Sequence, residues 1–194
     1  MDRWTGSAGR VMVAWIACNL LGWLAAAGLV LVLRTPGSPL GMPWSLILVL
    51  VPPAVAQWLL LRRLLGLTPW WLVTIPLGCL AFAGLVAAIP SGLWQVVDDE
   101  GIGTLSILSA ILGALIGLGQ WLILRRRVSG AEIWVAASAA GIGLGFAAVL
   151  STGLLDRSGF AAYAVVVLTY AMLSGAALAW MLARPAPMRA VAAA

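Results

Sequence analysis

The sequence contains no histidine and no lysine, and it has only six acidic residues and two cysteines among 194 positions. Without histidine, the chain cannot ligate haem or chlorophyll through imidazole, nor supply the base of a Ser-His-Asp or Cys-His site. Without lysine, it cannot form the Schiff base that retinal or pyridoxal phosphate requires. We therefore expect no catalytic residue and no cofactor in this chain.

Apolar residues dominate what is present. The chain is 63% hydrophobic and 9% charged, whereas about a quarter of the residues of a soluble domain are charged. Crossing about 30 Å of hydrocarbon takes roughly 20 apolar residues as a helix, and the runs do not alternate with the period of two that a barrel strand needs. The sequence predicts an all-α integral membrane protein with six transmembrane helices, over residues 11–33, 44–61, 69–90, 104–124, 132–152 and 159–183.

The arginines predict the orientation. Nine of them fall on one side of the predicted helices, against Arg34 and Arg157 on the other; the nine are Arg3, Arg10, Arg62, Arg63, Arg125, Arg126, Arg127, Arg184 and Arg189. The positive-inside rule then places both termini in the cytoplasm of a bacterial inner membrane. Dispersed arginines at helix ends are not a nucleic-acid surface, so we expect anionic lipid headgroups as their partners.

Two phrases alternate along the chain. Trp58, Trp121 and Trp180 are each followed four residues later by an arginine, namely Arg62, Arg125 and Arg184. Trp15, Trp71 and Trp134 are each followed seven residues later by a glycine, namely Gly22, Gly78 and Gly141. The pattern predicts a single transmembrane domain, 1–194, built from three tandem two-helix repeats, 1–66, 67–129 and 130–194. Parallel repeats predict a pseudo-threefold axis along the membrane normal.

The repeated tryptophans fall near the predicted cytoplasmic ends of their helices. With the arginines, all six are predicted to form an aromatic and cationic belt at the level of the headgroups. A tryptophan and an arginine four residues apart share a helix face, so ring and guanidinium are expected to stack. Ligand or lipid contact at Trp58, Arg62, Trp121, Arg125, Trp180 and Arg184 is the alternative to simple anchoring.

Gln57 and Gln120 are the polar residues that the repeat places inside the membrane at matching positions, whereas the third copy has Ala179. A glutamine donates and accepts hydrogen bonds, so these two are predicted to bond neighbouring helices or to contact a substrate. No Asp, Glu or Arg lies in the middle third of a predicted helix, which disfavours a proton relay.

Small residues are predicted to form packing faces. Gly113 with Gly117, and Gly141 with Gly145, make two GxxxG patterns that let membrane helices approach closely. Cys18 and Cys79 match neither a metal-binding nor a disulfide pattern and are interpreted as small apolar side chains. Pro52, Pro53 and Pro76 are predicted to kink their helices.

Asp98, Asp99 and Glu100 form an acidic run in a predicted outer loop. Contact with a basic partner surface and a solvated turn are the interpretations that remain open. Adjacent carboxylates converge poorly on one ion, so we predict no metal site.

Two sequence motifs carry a resemblance to a group of known proteins. They are Gln57-Trp58-Leu59-Leu60-Leu61-Arg62-Arg63 and Gln120-Trp121-Leu122-Ile123-Leu124-Arg125-Arg126. With the glycine-rich helix that follows each, they resemble prokaryotic multipass membrane proteins with repeated Gln-Trp-x-x-Leu-Arg-Arg helices, well over residues 50–150. The resemblance implies a membrane location and no activity.

Three functions compete on this sequence. The favoured hypothesis is a non-enzymatic scaffold or accessory subunit of a membrane assembly, with a protein partner or a second copy of itself. The first alternative is a carrier or channel for a small or amphipathic solute, which predicts Asn19, Gln57 and Gln120 in a water-accessible central cavity. The second is a lipid-binding protein.

Overall fold

The computed structural model describes residues 8–33, 42–90 and 101–184, and these residues form helices and connecting turns without a strand. We number the helices α1 (Ala8–Leu33), α2 (Met42–Leu65), α3 (Trp71–Ala87), α4 (Gly101–Leu124), α5 (Ile133–Ser151), α6 (Leu154–Arg157) and α7 (Gly159–Ala183). The prediction of an all-helical protein is confirmed for the residues that the structure describes. The acidic run at residues 98–100 lies outside the described residues.

Four of these helices are long and apolar enough to cross a membrane, over Ala8–Leu29, Gly101–Leu124, Ile133–Ser151 and Gly159–Ala183. These spans support a membrane protein. Helix α3 is a shorter apolar helix, and it contains Pro76, while α2 runs through Pro52 and Pro53. Neither α2 nor α3 is interrupted at its prolines, because membrane helices tolerate proline where neighbouring groups satisfy the freed carbonyls.

The turns between helices depend on two devices. Gly66 and Gly130 follow α2 and α4 with φ of 65° and 72°, a left-handed conformation that glycine adopts without a steric penalty. Ser158 precedes α7 and caps it, because its hydroxyl accepts a hydrogen bond from the Ala161 N–H at 3.2 Å. This is the usual cap of a helix N-terminus.

The six long helices pack as a closed ring in chain order. Each of α1 to α4 packs against the next helix, α5 packs against α7, and α7 packs against α1. Among the described residues of these six helices, only neighbours in the ring bring their backbones close together. The turns at 66–70 and 125–132 are short, so the helices that they join are antiparallel neighbours.

Trp15, Trp71 and Trp134 lie at the centre of this ring and are fully buried. The Trp134 ring meets Trp15 edge-on at 5.3 Å between centroids and Trp71 at 5.9 Å, the geometry that aromatic quadrupoles favour. The prediction that these three belong to a headgroup belt is therefore wrong. They form the core of the end of the bundle that carries Arg62, Arg125 and Arg184, which we call the arginine end.

Three leucines, one from each of the alternate helices α2, α4 and α7, pack around this tryptophan cluster. Leu61, Leu124 and Leu178 are all fully buried in the same core. The opposite end, which we call the far end, is less closely packed. From Cys79 to Pro90 no residue of α3 or its following turn is buried, whereas α5 still buries Gly145 and Val149 near its own far end.

Candidate functional site

The interior of the bundle carries a set of buried polar side chains one to two turns from the tryptophan cluster. Asn19, Gln120, Ser138 and Ser174 are fully buried, and Gln57 is 2% exposed. The Gln57 amide donates to Asn19 Oδ1 at 2.8 Å, and the Asn19 amide donates to the Trp15 carbonyl at 2.9 Å. The first bond joins α2 to α1, and the second lies within α1. Sequence reasoning assigned all of these side chains to the membrane interior.

Two of the central tryptophans donate their indole N–H to a polar side chain of the helix that precedes them in the ring. Trp134 Nε1 donates to Gln120 Oε1 at 2.7 Å, which joins α5 to α4. Trp15 Nε1 donates to Ser174 Oγ at 2.9 Å, which joins α1 to α7. Within a membrane, such an interhelical hydrogen bond adds a modest stabilisation to helix association.

The corresponding bond between α3 and α2 is not made. Trp71 Nε1 and Gln57 Oε1 are both buried without a hydrogen-bond partner among the described residues. These are the atoms that would match Trp134 Nε1 and Gln120 Oε1. We call the contact between two neighbouring helices of the ring a seam. The seam between α2 and α3 therefore lacks the indole hydrogen bond that is present in the α4–α5 and α7–α1 seams.

Ser174, and not Ala179, occupies the place of the glutamines in the last helix. Gly22, Gly78 and Gly141 contact Pro53, Ile116 and Tyr170 respectively, and each contacted residue precedes a polar residue by four positions: Gln57, Gln120 or Ser174. The third copy thus lacks a glutamine, as its sequence indicates, but the matching place in the bundle carries the polar side chain of Ser174. The spacing of the buried Leu178, four residues after Ser174, is the signal that sequence reasoning missed.

Both GxxxG patterns pack against helices of the same chain. An added Cβ at Gly113 would lie 2.5 Å from the Ser138 carbonyl oxygen, and one at Gly117 would lie 2.9 Å from Ser138 Cβ. Gly141 and Gly145 meet the backbone of α7 at Tyr170 and Val166 in the same way. The predicted packing role is confirmed, and these faces are occupied inside one molecule.

The seam between α2 and α3 has no such face. Leu50 and Ala54, seven and three residues before Gln57, stand where Gly113 and Gly117 stand before Gln120. Of the neighbouring long helices, α2 and α3 make the least contact and α4 and α5 the most. An apolar cavity of about 70 Å³ lies in the looser seam, lined by Leu50, Val51, Ala54, Val55, Leu72 and Pro76.

Each predicted tryptophan–arginine pair is stacked. The guanidinium carbon lies 5.3 Å from the ring centroid for Arg62 on Trp58, 4.8 Å for Arg125 on Trp121 and 3.5 Å for Arg184 on Trp180. All three arginines are exposed, and Trp180 remains 39% exposed. A cation over an aromatic face within about 6 Å is attracted to it. Each tryptophan therefore holds its arginine in place, and the three arginines lie around the rim of the arginine end.

Two of these pairs also contact the turns between helices. Trp58 Nε1 donates to the Leu67 carbonyl at 3.3 Å. An added Cβ at Gly130 would lie 2.8 Å from the Trp180 ring, so only glycine fits that turn without displacing the ring. The stacked pairs thus anchor the turns as well as the helix ends.

No group of three metal-ligating side chains occurs in the part of the chain that the structure describes. The free thiols of Cys18 and Cys79 are partly buried in different helices. The polar side chains buried in the described interior are amides, hydroxyls and indoles, which form hydrogen bonds but do not carry charge. The arrangement is suited to joining helices and to holding neutral groups.

No protein-family model matches this chain, and no curated protein or solved structure matches it significantly. The resemblance to multipass proteins with the Gln-Trp-x-x-Leu-Arg-Arg phrase therefore stays a prediction.

Proposed function

We propose that this protein is a non-enzymatic integral membrane protein that serves as a scaffold or accessory subunit of a membrane assembly. The observation that carries this proposal is the use of the interior polar side chains. Asn19, Gln57, Gln120 and Ser174 bond other residues of the bundle across helix seams. Those side chains thus strengthen the bundle, and its apolar exterior is available for contact with lipids and partners.

The architecture that we propose has more membrane-crossing helices than the four identified by length and hydropathy. We propose that α1 to α5 and α7 all cross the membrane as three two-helix units about a pseudo-threefold axis. The arginine end would face the cytoplasm of a bacterial inner membrane. The matched contacts of Gly22, Gly78 and Gly141 and the arginine bias support this proposal.

Thiol labelling of intact cells tests the topology, after Cys18 and Cys79 have been replaced by alanine. Thr68→Cys lies in an exposed turn at the arginine end, and Asp156→Cys lies in the exposed short helix α6 at the far end. A membrane-impermeant maleimide is expected to label only the second. Labelling of Thr68→Cys in intact cells would overturn the proposed orientation.

Co-purification from native membranes in a mild detergent tests the scaffold role. We expect a partner in fixed stoichiometry, identified by mass spectrometry. Trp70 and Phe160 are 69% and 67% exposed and lie at opposite ends, so Trp70→Ala and Phe160→Ala form a matched pair that locates the partner. Recovery of the chain only as a free monomer would count against the proposal.

Binding of anionic lipid is a second candidate, favoured by the three stacked pairs at the rim. Phosphate groups prefer arginine because its planar fork donates two hydrogen bonds at once. Native mass spectrometry of the variant Arg62→Gln/Arg125→Gln/Arg184→Gln is expected to show less retained anionic lipid. The control is Arg63→Gln/Arg126→Gln, which changes neighbouring arginines. An equal loss in both would indicate general attraction without a specific site.

The carrier hypothesis predicted Asn19, Gln57 and Gln120 in a cavity open to water. These residues are at most 2% exposed, and each bonds a neighbouring residue inside the bundle. The structure thus favours the interpretation that they are interhelical hydrogen bonds. A carrier remains the weaker proposal, tested by thiol labelling of cysteines at these three positions.

A further inference from the structure

The apolar cavity of about 70 Å³ in the seam between α2 and α3 reaches the surface of the bundle. Among the residues that line it, Ala54 is buried, whereas Val51 is 48% exposed. Leu72 and Pro76, which line it from α3, are half-buried. We call this feature the α2–α3 groove. Because it faces the outside of the bundle, the molecules beside it in a membrane are lipids.

The groove lies in the half of the bundle nearest the arginine end. Pro76 follows Trp71, the first residue of α3, by five positions, and Ala54 precedes Arg62 by eight. At 1.5 Å per residue, these separations are about 8 Å and about 12 Å along the helix axes. Half of the hydrocarbon core is about 15 Å thick. With α2 and α3 crossing the membrane, the groove is at the depth of the acyl chains of the leaflet at the arginine end.

Two arginines from different helices flank the turn at 66–70, which closes the same seam at the arginine end. Arg62 lies in the last turns of α2, and its carbonyl accepts a hydrogen bond from the Gly66 N–H at 3.0 Å. Arg127 follows α4, and its Nη1 atom lies 4.0 Å from the position that a Cβ would take on Gly66. Both arginines are exposed. Their charges are therefore available to an anionic headgroup beside this turn.

The turn between α4 and α5 does not combine these features. It carries the exposed acid Glu132, and the seam that it closes is tightly packed, because Gly113 and Gly117 meet Ser138. The turn at 66–70 contains no acidic residue. Positive charge and an apolar groove therefore coincide at the α2–α3 seam.

We propose that the α2–α3 seam binds one anionic phospholipid, whose phosphate contacts Arg62 and Arg127 and whose acyl chain lies partly in the groove. A guanidinium suits phosphate because its planar fork donates two hydrogen bonds at once. A flexible acyl chain follows a narrow apolar groove and gains packing contacts there. The inference rests on the lipid-binding candidate and the topology proposed above, and it is independent of the scaffold role.

Photo-cross-linking from an acyl chain locates the lipid. The full chain is placed in phosphatidylcholine nanodiscs that contain a small share of phosphatidylglycerol with a diazirine in one acyl chain. After irradiation and proteolysis, mass spectrometry identifies the modified residues. We expect the adducts to concentrate at residues 50–55 and 72–76. Adducts spread evenly over the exposed faces of the helices would overturn the proposed site.

Two double variants test the headgroup contact, and each removes two positive charges from the arginine end. Arg62→Gln/Arg127→Gln changes the pair beside the groove, whereas Arg125→Gln/Arg184→Gln changes arginines elsewhere on the rim. General attraction to an anionic lipid falls equally in both. We expect the first variant to have about tenfold fewer groove adducts than the second, the effect of losing a charge-assisted hydrogen bond.

The outcomes separate this site from lipid binding in general. An equal fall in the two double variants would overturn the site at the α2–α3 seam and leave general lipid attraction by the rim. If the unaltered chain gave no more adducts with the phosphatidylglycerol probe than with a phosphatidylcholine probe carrying the same diazirine, the lipid-binding candidate would fail together with this site.

A matched pair of alanine variants tests the acyl-chain contact. Ala54→Leu places a larger side chain in the groove and is expected to lower the groove adducts about threefold, because the acyl chain loses packing contacts. Ala136→Leu makes the same change at an exposed position of α5 and is expected to leave the adducts unchanged. Undiminished adducts in Ala54→Leu would overturn the placement of the acyl chain in the groove.

Discussion

The seam between α4 and α5 and the seam between α2 and α3 occupy matching places in the ring but are packed differently. The first has Gly113 and Gly117 against Ser138 and a closed Trp134–Gln120 bond. The second has Leu50 and Ala54 at the matching positions, an apolar cavity and two unpaired polar atoms. The tight seam thus combines glycines three and seven residues before its glutamine with a closed indole bond, and the loose seam has neither.

The largest expected effect is on the tight seam. Gly117→Leu is expected to destabilise the bundle by about 3 kcal/mol, because overpacking forces backbone shifts. The matched change Ala54→Leu places the same side chain beside the cavity of the loose seam and is expected to change stability by less than about 1 kcal/mol. Unfolding by titration with dodecyl sulfate, followed by circular dichroism, measures both. Equal destabilisation would remove the proposed difference between the seams.

A smaller loss is expected at the seam between α7 and α1. Ser174→Ala leaves the buried Trp15 indole unpaired, which costs about 1–3 kcal/mol. Adding Ala179→Gln, at the position that the sequence pattern favoured, is not expected to restore stability, because Ser174 is the residue that bonds Trp15. The same unfolding assay compares the single and double variants. If the added Ala179→Gln change restored stability, position 179 and not Ser174 would be the counterpart of Gln57 and Gln120.

Amide exchange compares the far ends of the same two seams. Residues 79–90 include no buried position, whereas α5 buries Gly141, Gly143, Gly145 and Val149. Helix ends with few buried contacts open locally at low cost. In nanodiscs, peptides from residues 79–90 are expected to exchange about tenfold faster than peptides from 141–151. Similar protection would mean that α3 is held as firmly as α5.

The smallest effect is expected at the rim. Arg184→Gln removes the cation that stacks 3.5 Å from the Trp180 centroid, and an exposed pair of this kind contributes about 0.5–1 kcal/mol. Arg125→Gln, where the separation is 4.8 Å, is expected to have the weaker effect. Unfolding midpoints at low and high salt measure both. A loss well above 1 kcal/mol at Arg184 would indicate a role beyond stacking.

Much of the fold was predictable from hydrophobic length alone. The helix predicted over 159–183 has the bounds of α7, and the start of α4 differs by three residues. Apolar runs bounded by arginine and glycine are enough to predict these helix bounds, because hydrocarbon permits few alternatives to a helix. The order of helices around the ring is a matter of side-chain shape, which hydropathy does not contain.

The central tryptophans show why part of the site was missed. A tryptophan near a helix end is typical of a headgroup belt, and composition alone does not say which way it faces. The spacing to the following glycine does indicate which way the tryptophan faces. Trp15 and Gly22 are seven residues apart, so they share one helix face, and the glycine face packs inward on Pro53. The tryptophan on that face is therefore directed inward too.

The hydrogen bond from Trp15 to Ser174 joins residues separated by 159 positions. During synthesis, the indole of the first helix has no such acceptor until the last helix enters the membrane. Contacts between distant parts of a chain form late because the intervening segment must first be ordered. A chain that lacks α7 would therefore leave this indole without its acceptor.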